Sequence, residues 1–529
     1  AFGDPRQTAR LIRRAKRRIR PLPVRLVLSG AKWSALAVGM LILVYMSYGV
    51  YFLMGSPNVE RDYVAELNAP VLATPESDRA APLYIEIAES LPMHVHPWHA
   101  RLRGGENWEA TVTYIAENPD VVTRIHEATD RPTLGKYLAH PDPHYQALLL
   151  DMYSPLLNEA RRLYTVLVVD LRAAAASGDS ARVMQNLRSM SVLPSHLAEG
   201  PFLISGVIAA HTAKEWAQEM VDLLALSPGV FSDEDLVSID AMAHSLHDRS
   251  GFVDYSSERM TIDDVIQHAF TDDGKGGGRL TRQGIEILDS LYADRSGVVI
   301  PRWRYDAGVA LVGPAYNIMH AGRRETREMI DRLFSSFEEE LAKPLWDRDF
   351  QKFIDLSAML ERDPSTERRY AVVLMMMPAL TRASAHDAIA IHRIKASRVA
   401  IALERFRRAE GRWPHALEEL TPGYIESIPK DAFDGCVLKY RVRDGEPILY
   451  SVGADRVDRA GTPTVTAKGA VDPELAGQWI SRSHLRTLNE RISDPAQRAP
   501  WRNADWVLFS PAIARLVDEQ ARTKVNDED

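Results

Sequence analysis

Residues 33–54 read WSALAVGMLILVYMSYGVYFLM and contain no charged side chain. As an α-helix that rises ~1.5 Å per residue, this stretch spans about 33 Å, which exceeds the ~30 Å hydrocarbon core of a bilayer. Trp33 at one end, and Tyr48 and Tyr51 near the other, are typical of the aromatic residues that collect at membrane interfaces. The stretch therefore predicts a transmembrane helix, and the rest of the architecture is arranged around it.

The charges that flank this helix predict its orientation. Residues 1–32 hold ten Lys or Arg and one acid, Asp4, whereas residues 55–89 hold seven acids and two bases. Basic flanks remain in the cytoplasm. We therefore predict a single-pass protein of the bacterial cytoplasmic (inner) membrane, with its N-terminus in the cytoplasm and its bulk in the periplasm or outside. The basic segment could also contact anionic lipid. The alternative is a buried core helix beside a basic nucleic-acid arm.

The composition excludes several classes of function. The formal net charge is -8, and the part of the chain after residue 32 carries 54 of the 64 basic residues and 71 of the 72 acidic ones. This acidic remainder argues against nucleic-acid binding, which needs a basic face. The single cysteine, Cys436, excludes an intramolecular disulfide and a zinc cluster of several thiolates. The sequence also contains no P-loop, no HExxH and no GxSxG motif.

Hydrophobic periodicity predicts a mainly α protein with a C-terminal α+β module. Apolar residues recur at spacings of three and four in the middle of the chain, over residues 144–176, 181–197, 201–226 and 236–246. Gly178-Asp179 indicates a turn between two of these helices, and Ser232 followed by Asp235 indicates a capping box. Helices joined by short turns favour a repeat-like layer, but no fixed repeat period is present. The alternative is an irregular all-α domain.

The last third of the chain has a different pattern. A long amphipathic helix is predicted over residues 384–410, ending at Gly411, and a short helix over residues 416–420. Two strand-like runs follow, residues 437–442 and 448–452, and Asp444-Gly445 between them is a hairpin signal.

These patterns divide the chain into predicted domains. They are a basic cytoplasmic segment (1–32), the transmembrane helix (33–54), an extended linker region around one helix at 81–91 (55–104), a helical domain (105–383), the α+β domain (384–515) and a charged tail that we expect to fray (516–529). Within the helical domain, the apolar run at 370–380 contains Pro378 and is too short to span a bilayer. It predicts either the end of a core helix or a contact with the membrane surface.

Residues 401–455 read IALERFRRAEGRWPHALEELTPGYIESIPKDAFDGCVLKYRVRDGEPILYSVGAD. This stretch resembles the soluble domain of the major pseudopilin of bacterial type II secretion, and the resemblance covers roughly residues 384–460. The shared marks are a long helix that runs into GRWP, then IPKDAFDG, Tyr440 and YSVGAD. The resemblance implies a long helix packed on a small antiparallel sheet, followed by a calcium-binding loop. The layout of the whole chain looks like that of a bacterial membrane-anchored family.

The chain also departs from the pseudopilin pattern. In that family the hydrophobic helix carries a Glu near its start and continues into the soluble domain. Here the predicted membrane helix has no acid and lies about 330 residues upstream of the module. We therefore do not expect this chain to assemble into a pilus by the usual packing of hydrophobic helices.

Three aspartates are candidate calcium ligands in the module. Asp455 and Asp458 lie within one turn of each other, and the resemblance implies that Asp505 matches a later acidic position of the family. Calcium prefers several oxygen ligands on a compact loop. Arg456 and Arg459 place positive charge beside this site, and about 45 residues separate Asp458 from Asp505, whereas the family's loop is short. The alternative is a solvated acidic loop.

A second loop, AFTDDGKGGGRLT at residues 269–281, resembles a calcium EF-hand loop between two predicted helices. With Asp273 at the first position, Gly278 falls at the glycine turn and Leu280 at the apolar eighth position. Lys275, Gly277 and Gly284 stand where carboxylate ligands are expected, however. We therefore predict a loop that keeps the turn without binding calcium.

A histidine cluster is the remaining candidate site. His94, His96 and His99 have the spacing of imidazoles that could ligate zinc or copper, but the segment holds no partner acid. The alternative is an incidental cluster on a loop. The leading prediction is therefore a membrane-anchored envelope interaction or structural protein, with protein partners and no evident catalytic activity. The alternatives are an accessory component of a secretion or pilus-like machine, and a metal-dependent hydrolase that uses the three histidines.

Overall fold

The computed structural model describes most of the chain: residues 9–10, 13–14, 22–95, 106–139, 148–149, 152, 156–248, 251–293, 302–376, 380–466, 469–477 and 504–528. This part of the protein is mainly helical, with an apolar helix near the N-terminus and a small antiparallel sheet near the C-terminus. The histidines His96 and His99, and most of the basic segment 1–32, lie outside the described residues.

Helices make up most of the described structure. In chain order they are α1 (Leu22–Leu53), α2 (Tyr63–Ala73), α3 (Ala81–Ser90), α4 (Glu106–Glu117), α5 (Asp120–Thr129), α6 (Leu156–Ser177), α7 (Ser180–Ala198), α8 (Leu203–Leu226), α9 (Asp233–His247), α10 (Tyr255–Ala269), α11 (Arg282–Ala293), α12 (Arg302–Met319), α13 (Arg323–Leu341), α14 (Gln351–Leu360), α15 (Pro364–Arg369), α16 (Ala371–Met376), α17 (Leu380–Glu410) and α18 (Pro511–Glu528). Short 3₁₀ turns cover Glu76–Asp78, Pro228–Val230, Leu345–Asp347, Leu417–Leu420 and Leu475–Gly477.

Two small sheets accompany the helices. In the larger, β1 (Lys439–Arg443) and β2 (Glu446–Ser451) form a hairpin, and β5 (Trp506–Phe509) pairs with β2, all antiparallel. The smaller sheet pairs β3 (Thr464–Val465) with β4 (Val471–Asp472). Asp444 and Gly445 both have positive φ in the β1–β2 turn, which is the conformation that tight hairpin turns require.

The chain forms two compact units. The first consists of residues 1–58, 267–326 and 364–372, and the second contains the rest. In the first unit α1 packs against α12: the buried ring of Phe52 lies so close to Gly313 that a Cβ there would be 2.8 Å from the ring. Tyr48 donates a hydrogen bond to Asn317 over 2.6 Å. The unit therefore joins stretches that lie far apart in the sequence.

The core of the second unit is built on α8 and α17. Helix α8 packs against α17 and α7, and the fully buried Trp216 of α8 donates its ring N–H to the Leu187 carbonyl of α7 over 2.9 Å. A buried Trp is favourable when its N–H has such a partner. Helix α17 also contacts β5, so helix and sheet share one hydrophobic core.

Local signals predicted several of the helix boundaries correctly. The predicted helices at 181–197, 201–226 and 236–246 are confirmed as α7, α8 and α9. At the start of α9, Ser232 and Asp235 form the predicted capping box, with each side chain accepting from the other's backbone N–H. Gly178 has a φ of +75° in the turn between α6 and α7, and Gly411 ends α17 at the predicted residue with a φ of +67°.

Several predictions about local structure need correction. The linker predicted as extended contains α2, because Asp62 caps that helix by accepting the Ala65 N–H. Residues 516–528 of the predicted charged tail lie in α18, and Gln520 of that helix accepts a hydrogen bond from the Val471 N–H. In the apolar run at 370–380, the fully buried Val372 and Val373 favour the core-helix interpretation.

Candidate functional site

The second unit contains a cavity of about 840 Å³ that combines charged and apolar walls. Ligand sites commonly have volumes of ~300–1,000 Å³ with a few convergent polar groups. Two guanidinium groups, Arg172 and Arg393, line the cavity together with five carboxylates: Glu219, Asp222, Asp472, Glu474 and Asp518. Apolar residues of α8, β5 and α18 complete the wall, among them Leu226, Val507 and Ile513.

Helices α6 and α8 provide the first ion pair of the cavity. The guanidinium of Arg172 on α6 donates two hydrogen bonds, of 2.8 and 2.7 Å, to the two carboxylate oxygens of Glu219 on α8. This bidentate geometry is the strongest form of the arginine–carboxylate contact. Glu219 and Asp222 are three residues apart and lie on the same face of α8. Arg172 therefore pairs with Glu219, and Asp222 on the same helix face has other partners.

Asp222 is the group in the cavity whose protonation is most perturbed. Its carboxylate accepts a 2.9 Å hydrogen bond from the side-chain amide of Gln218. Burial raises the pKa of Asp222 to about 7, and the nearby Glu219 carboxylate adds to the rise, whereas Arg172, Arg393 and Gln218 oppose it. Asp222 therefore changes charge near neutral pH, and a cation in the cavity would favour its ionised form.

Arg393 of α17 is the second cation of the cavity. Its side chain is 1% exposed. The guanidinium donates to the Leu508 carbonyl of β5 over 2.8 Å and to the Gln218 side-chain oxygen, and it lies 3.4 Å from Glu474. A buried guanidinium is stable only with such partners. Arg393 thus connects α17 to α8 and to the edge strand of the sheet.

Glu474 balances two basic groups. Besides Arg393, it pairs with Lys214 over 3.3 Å and accepts the ring N–H of Trp506 over 3.2 Å. Burial opposes the ionisation of Glu474, but Arg393 and Lys214 outweigh burial and lower its pKa. Glu474 is thus ionised, and the positive charges of Arg393 and Lys214 balance its negative charge.

The charges of the cavity favour a cationic ligand. Arg172 pairs with Glu219, and Arg393 lies 3.4 Å from Glu474, so carboxylates of the protein balance both guanidinium charges. Asp222 has an amide rather than a cation as its hydrogen-bond donor. An ammonium or guanidinium group near Asp222, attached to an apolar body, would match both the acidic and the apolar walls.

The structure brings the three predicted calcium ligands to one loop but gives each carboxylate protein partners. The fully buried Asp505 accepts hydrogen bonds from the backbone N–H groups of Arg459, Gly461 and Thr462. Asp458 accepts from Tyr450 and Ala460, over 3.1 and 2.8 Å, and Asp455 pairs with Arg459 over 2.8 Å. Calcium at this loop would have to share these carboxylate oxygen atoms with the protein donors or displace them.

No group of three His, Cys, Asp or Glu residues within the described ranges has the arrangement needed to hold a metal ion. The calcium site at Asp455, Asp458 and Asp505 stays a prediction. For these residues the structure supplies another role: Asp505 closes the loop that follows the Gly-Ala-Asp turn by satisfying its backbone N–H groups.

The EF-hand-like loop has the predicted helix–loop–helix form, between α10 and α11. Asp273 accepts the backbone N–H groups of Lys275 and Gly277, each over 2.8 Å. A Cβ at Gly278 would be 1.8 Å from the Thr271 carbonyl oxygen, so this turn requires glycine because of close backbone approach. At Gly284 a Cβ would be 2.4 Å from the Ala269 carbonyl oxygen, which leaves no room for the terminal Glu of a calcium loop.

Of the three predicted histidine ligands, His94 is described, and His96 and His99 are not. The His94 ring makes an edge contact with Tyr114, with ring centroids 6.3 Å apart. Its Nε2 atom is buried and has no hydrogen-bond partner among the described residues. A metal site at this cluster stays a prediction.

Sequence reasoning missed the cavity because its charged residues are distributed over the chain. Arg172, Asp222 and Arg393 come from three helices, and no short motif connects them. One signal was present: Gln218, Glu219 and Asp222 interrupt the otherwise apolar run AQEMVDLLAL of α8. Polar side chains at i, i+1 and i+4 within a buried helix indicate a polar pocket or a partner helix.

Comparison of the chain with protein-family models, with curated proteins and with solved structures finds no match in any of the three.

Proposed function

We propose that this protein is a membrane-anchored binding protein of the bacterial envelope whose cavity receives a cationic, partly apolar group. The observation that carries the proposal is the cavity of about 840 Å³ in which Asp222 lies beside apolar walls while both guanidinium groups are paired. The ligand is a small amine or a Lys or Arg side chain presented by a protein partner. No step of bond making or breaking is part of the proposal.

The anchor is α1, within which Ala31–Leu53 is long and apolar enough to cross a membrane. We place α1 across the cytoplasmic membrane with the basic N-terminal segment in the cytoplasm, because of the charge difference between its two flanks. The proposal then puts the cavity on the periplasmic or outer side. The helices of the second unit would form a repeat-like layer for contact with envelope partners.

The proposal predicts selective binding of amines by the full-length protein in detergent. We expect 4-phenylbutylamine to bind, as measured by isothermal titration calorimetry, and 4-phenylbutyrate and 4-phenylbutanol to bind at least about tenfold more weakly, equivalent to ~1.4 kcal/mol. The substitution Asp222→Asn keeps the size of the side chain and removes its charge. It should reduce the affinity for 4-phenylbutylamine to that for 4-phenylbutanol.

Glu258 provides a matched control. Burial also raises the pKa of this α10 carboxyl to about 7, but Glu258 does not line the cavity. Glu258→Gln should therefore leave 4-phenylbutylamine binding unchanged. Equal binding of the three probes, or an equal loss of binding in both variants, would contradict the proposal.

A role as an accessory of a secretion or pilus-like machine is the second candidate. It is supported by the pseudopilin-like order of a long helix, a GRWP turn and a β hairpin in the C-terminal third. Copurification of the full-length protein with secretion-machine components from mildly solubilised membranes would support this role, and their absence from the copurified material would count against it.

A further inference from the structure

Helix α12 of the first unit carries an exposed apolar face. Arg302, Arg304 and Asp306 lie in its first turns, and the following residues, AGVALVGPAYNIM, contain no charge. Leu311 is 66% exposed and Val312 58% exposed, although both are large aliphatic side chains. This charge-free part extends for about 20 Å at ~1.5 Å per residue, which is shorter than a bilayer core but longer than half of one.

Helix α12 contacts α1 inside the stretch of α1 that can span a membrane. The Tyr45 hydroxyl donates to the Leu311 carbonyl, and the Tyr48 hydroxyl donates to Asn317 over 2.6 Å. Tyr45 lies eight residues before Leu53, the end of the candidate span, and so about 12 Å along the helix axis from that end. The contact between Tyr45 and Leu311 therefore places the middle of α12 beside the apolar interior of this span.

The contact between the two helices is suited to an apolar solvent. Asn317 uses both ends of its amide, accepting from Tyr48 and donating to the Leu280 carbonyl. Small residues permit the close approach, since a Cβ at Gly49 would lie 3.6 Å from Pro314 and one at Gly313 only 2.8 Å from Phe52. Satisfied polar groups and small residues at the contact are characteristic of helices that pack within bilayers.

We infer that α12 inserts its 307–319 part into the outer leaflet beside α1, so that lipid covers Leu311 and Val312. This inference rests on the proposed membrane anchor. Lipid is favoured over a protein partner because the exposed apolar face of α12 adjoins a helix that itself exposes apolar side chains, among them Leu41 and Val44. Neither α12 after Asp306 nor α1 after Lys32 offers a charge that a protein partner could pair.

The test uses full-length protein in vesicles of phosphatidylcholine and phosphatidylglycerol, with Cys436→Ser removing the single native cysteine. Leu311→Cys and, separately, Val312→Cys are labelled with the fluorophore NBD, and quenching by doxyl-labelled lipid is measured. Met46→Cys reports on α1 next to Tyr45. Val237→Cys is a control at an exposed aliphatic position of α9 in the second unit.

We expect doxyl lipid to quench the labels at Leu311, Val312 and Met46 to a comparable extent, and to leave the Val237 label unchanged. Quenching at Met46 without quenching at Leu311 and Val312 would overturn the insertion of α12 and leave the anchor intact. A blue-shifted but unquenched Leu311 label would show that protein, such as a second copy, covers this face. Absence of quenching at Met46 would instead contradict the proposed anchor itself.

Discussion

Helices α1 and α17 are almost equal in length, at 32 and 31 residues, but they reverse the usual relation between polarity and burial. Helix α1 exposes aliphatic side chains along its charge-free stretch, and its polar contacts are made by hydroxyl and amide groups. Helix α17 is buried along most of its length and yet carries Arg393 and Arg398 in its interior face.

The difference between these helices shows what each environment tolerates. A charge in a bilayer has no water and few partners, so helices that span it use neutral polar groups that satisfy each other. A buried charge inside a protein can be stable when carboxylates and carbonyls are placed around it. Arg393 has such partners in Glu474 and Leu508, and Arg398 pairs with Asp240 over 2.9 Å. The predictions below test this contrast.

The largest effect is expected where a buried charge loses its partner. Arg393→Met keeps much of the side-chain length but leaves the Leu508 carbonyl without this donor and Glu474 without one of its two cations. We expect a loss of about 3–5 kcal/mol in the free energy of unfolding of the second unit. Urea titration in mild detergent, followed by circular dichroism, would measure it.

Arg515→Met is the matched control for this prediction. Arg515 also makes an ion pair, with Glu446 over 2.6 Å, but its side chain is 55% exposed. Exposed pairs contribute ~0–1 kcal/mol. If the two variants lost similar stability, burial of Arg393 would not be the cause, and the contrast between α1 and α17 would lose its energetic basis.

A smaller effect is expected at the close contact of α1 with α12. In Gly313→Leu even the Cβ would lie 2.8 Å from the Phe52 ring, so the helices must separate or the ring must move. We expect a loss of about 2–3 kcal/mol in the free energy of unfolding. Gly308→Leu on the same helix has no atom within 4 Å of the new Cβ and should change stability by less than about 1 kcal/mol. Equal effects would indicate that the contact does not stabilise the first unit.

These two sites also show what can be predicted from the sequence. The apolar stretch of α1, the capping box at Ser232 and Asp235, and the end of α17 at Gly411 depend on neighbouring residues alone, and the sequence therefore predicts them. The contact of α1 with α12 joins residues more than 260 positions apart, such as Tyr48 and Asn317. Nothing local in either segment specifies the other.

The cavity was not predictable for the same reason. The pairing of Arg172 with Glu219, and the burial of Arg393 against β5, exist only after four segments have packed together. By contrast, the three aspartates of the predicted calcium site do lie around one loop. Their role could not be predicted, because it depends on which backbone N–H groups the fold directs at Asp505.

The pH dependence of stability offers a third test. The pKa of Asp222 is about 7 in the folded protein and near 3.8 in the unfolded chain, so between these values the folded state binds the extra proton. Its contribution therefore makes stability fall as pH rises from about 4 to 7. Asp222→Asn removes this loss, and the variant should gain about 3 kcal/mol over the wild type between pH 4.5 and 7.5.

The difference between variant and wild type isolates Asp222 from other groups that titrate. Burial lowers the pKa of His320, in the first unit, to about 4, which makes stability rise with pH over the window from about 4 to 6.5. Burial raises the pKa of Glu258 in the second unit to about 7, with the same sign as Asp222. The contributions of His320 and Glu258 are the same in the variant and the wild type, so they cancel when the two stabilities are subtracted. A variant that follows the wild type at every pH would show that Asp222 ionises freely in the fold.

The smallest effect is expected from calcium. In the structure Asp505 already accepts three backbone N–H groups and Asp455 is paired with Arg459, so an ion must compete with these partners when it binds. We expect 1 mM calcium to raise the free energy of unfolding by less than about 0.5 kcal/mol relative to chelator, which corresponds to a Kd above roughly 1 mM.

Asp505→Asn should lower stability equally with and without calcium, because the loss concerns the backbone N–H groups. A calcium-dependent gain that disappears in Asp505→Asn, but persists in Asp273→Asn of the other loop, would instead establish the site implied by the pseudopilin resemblance.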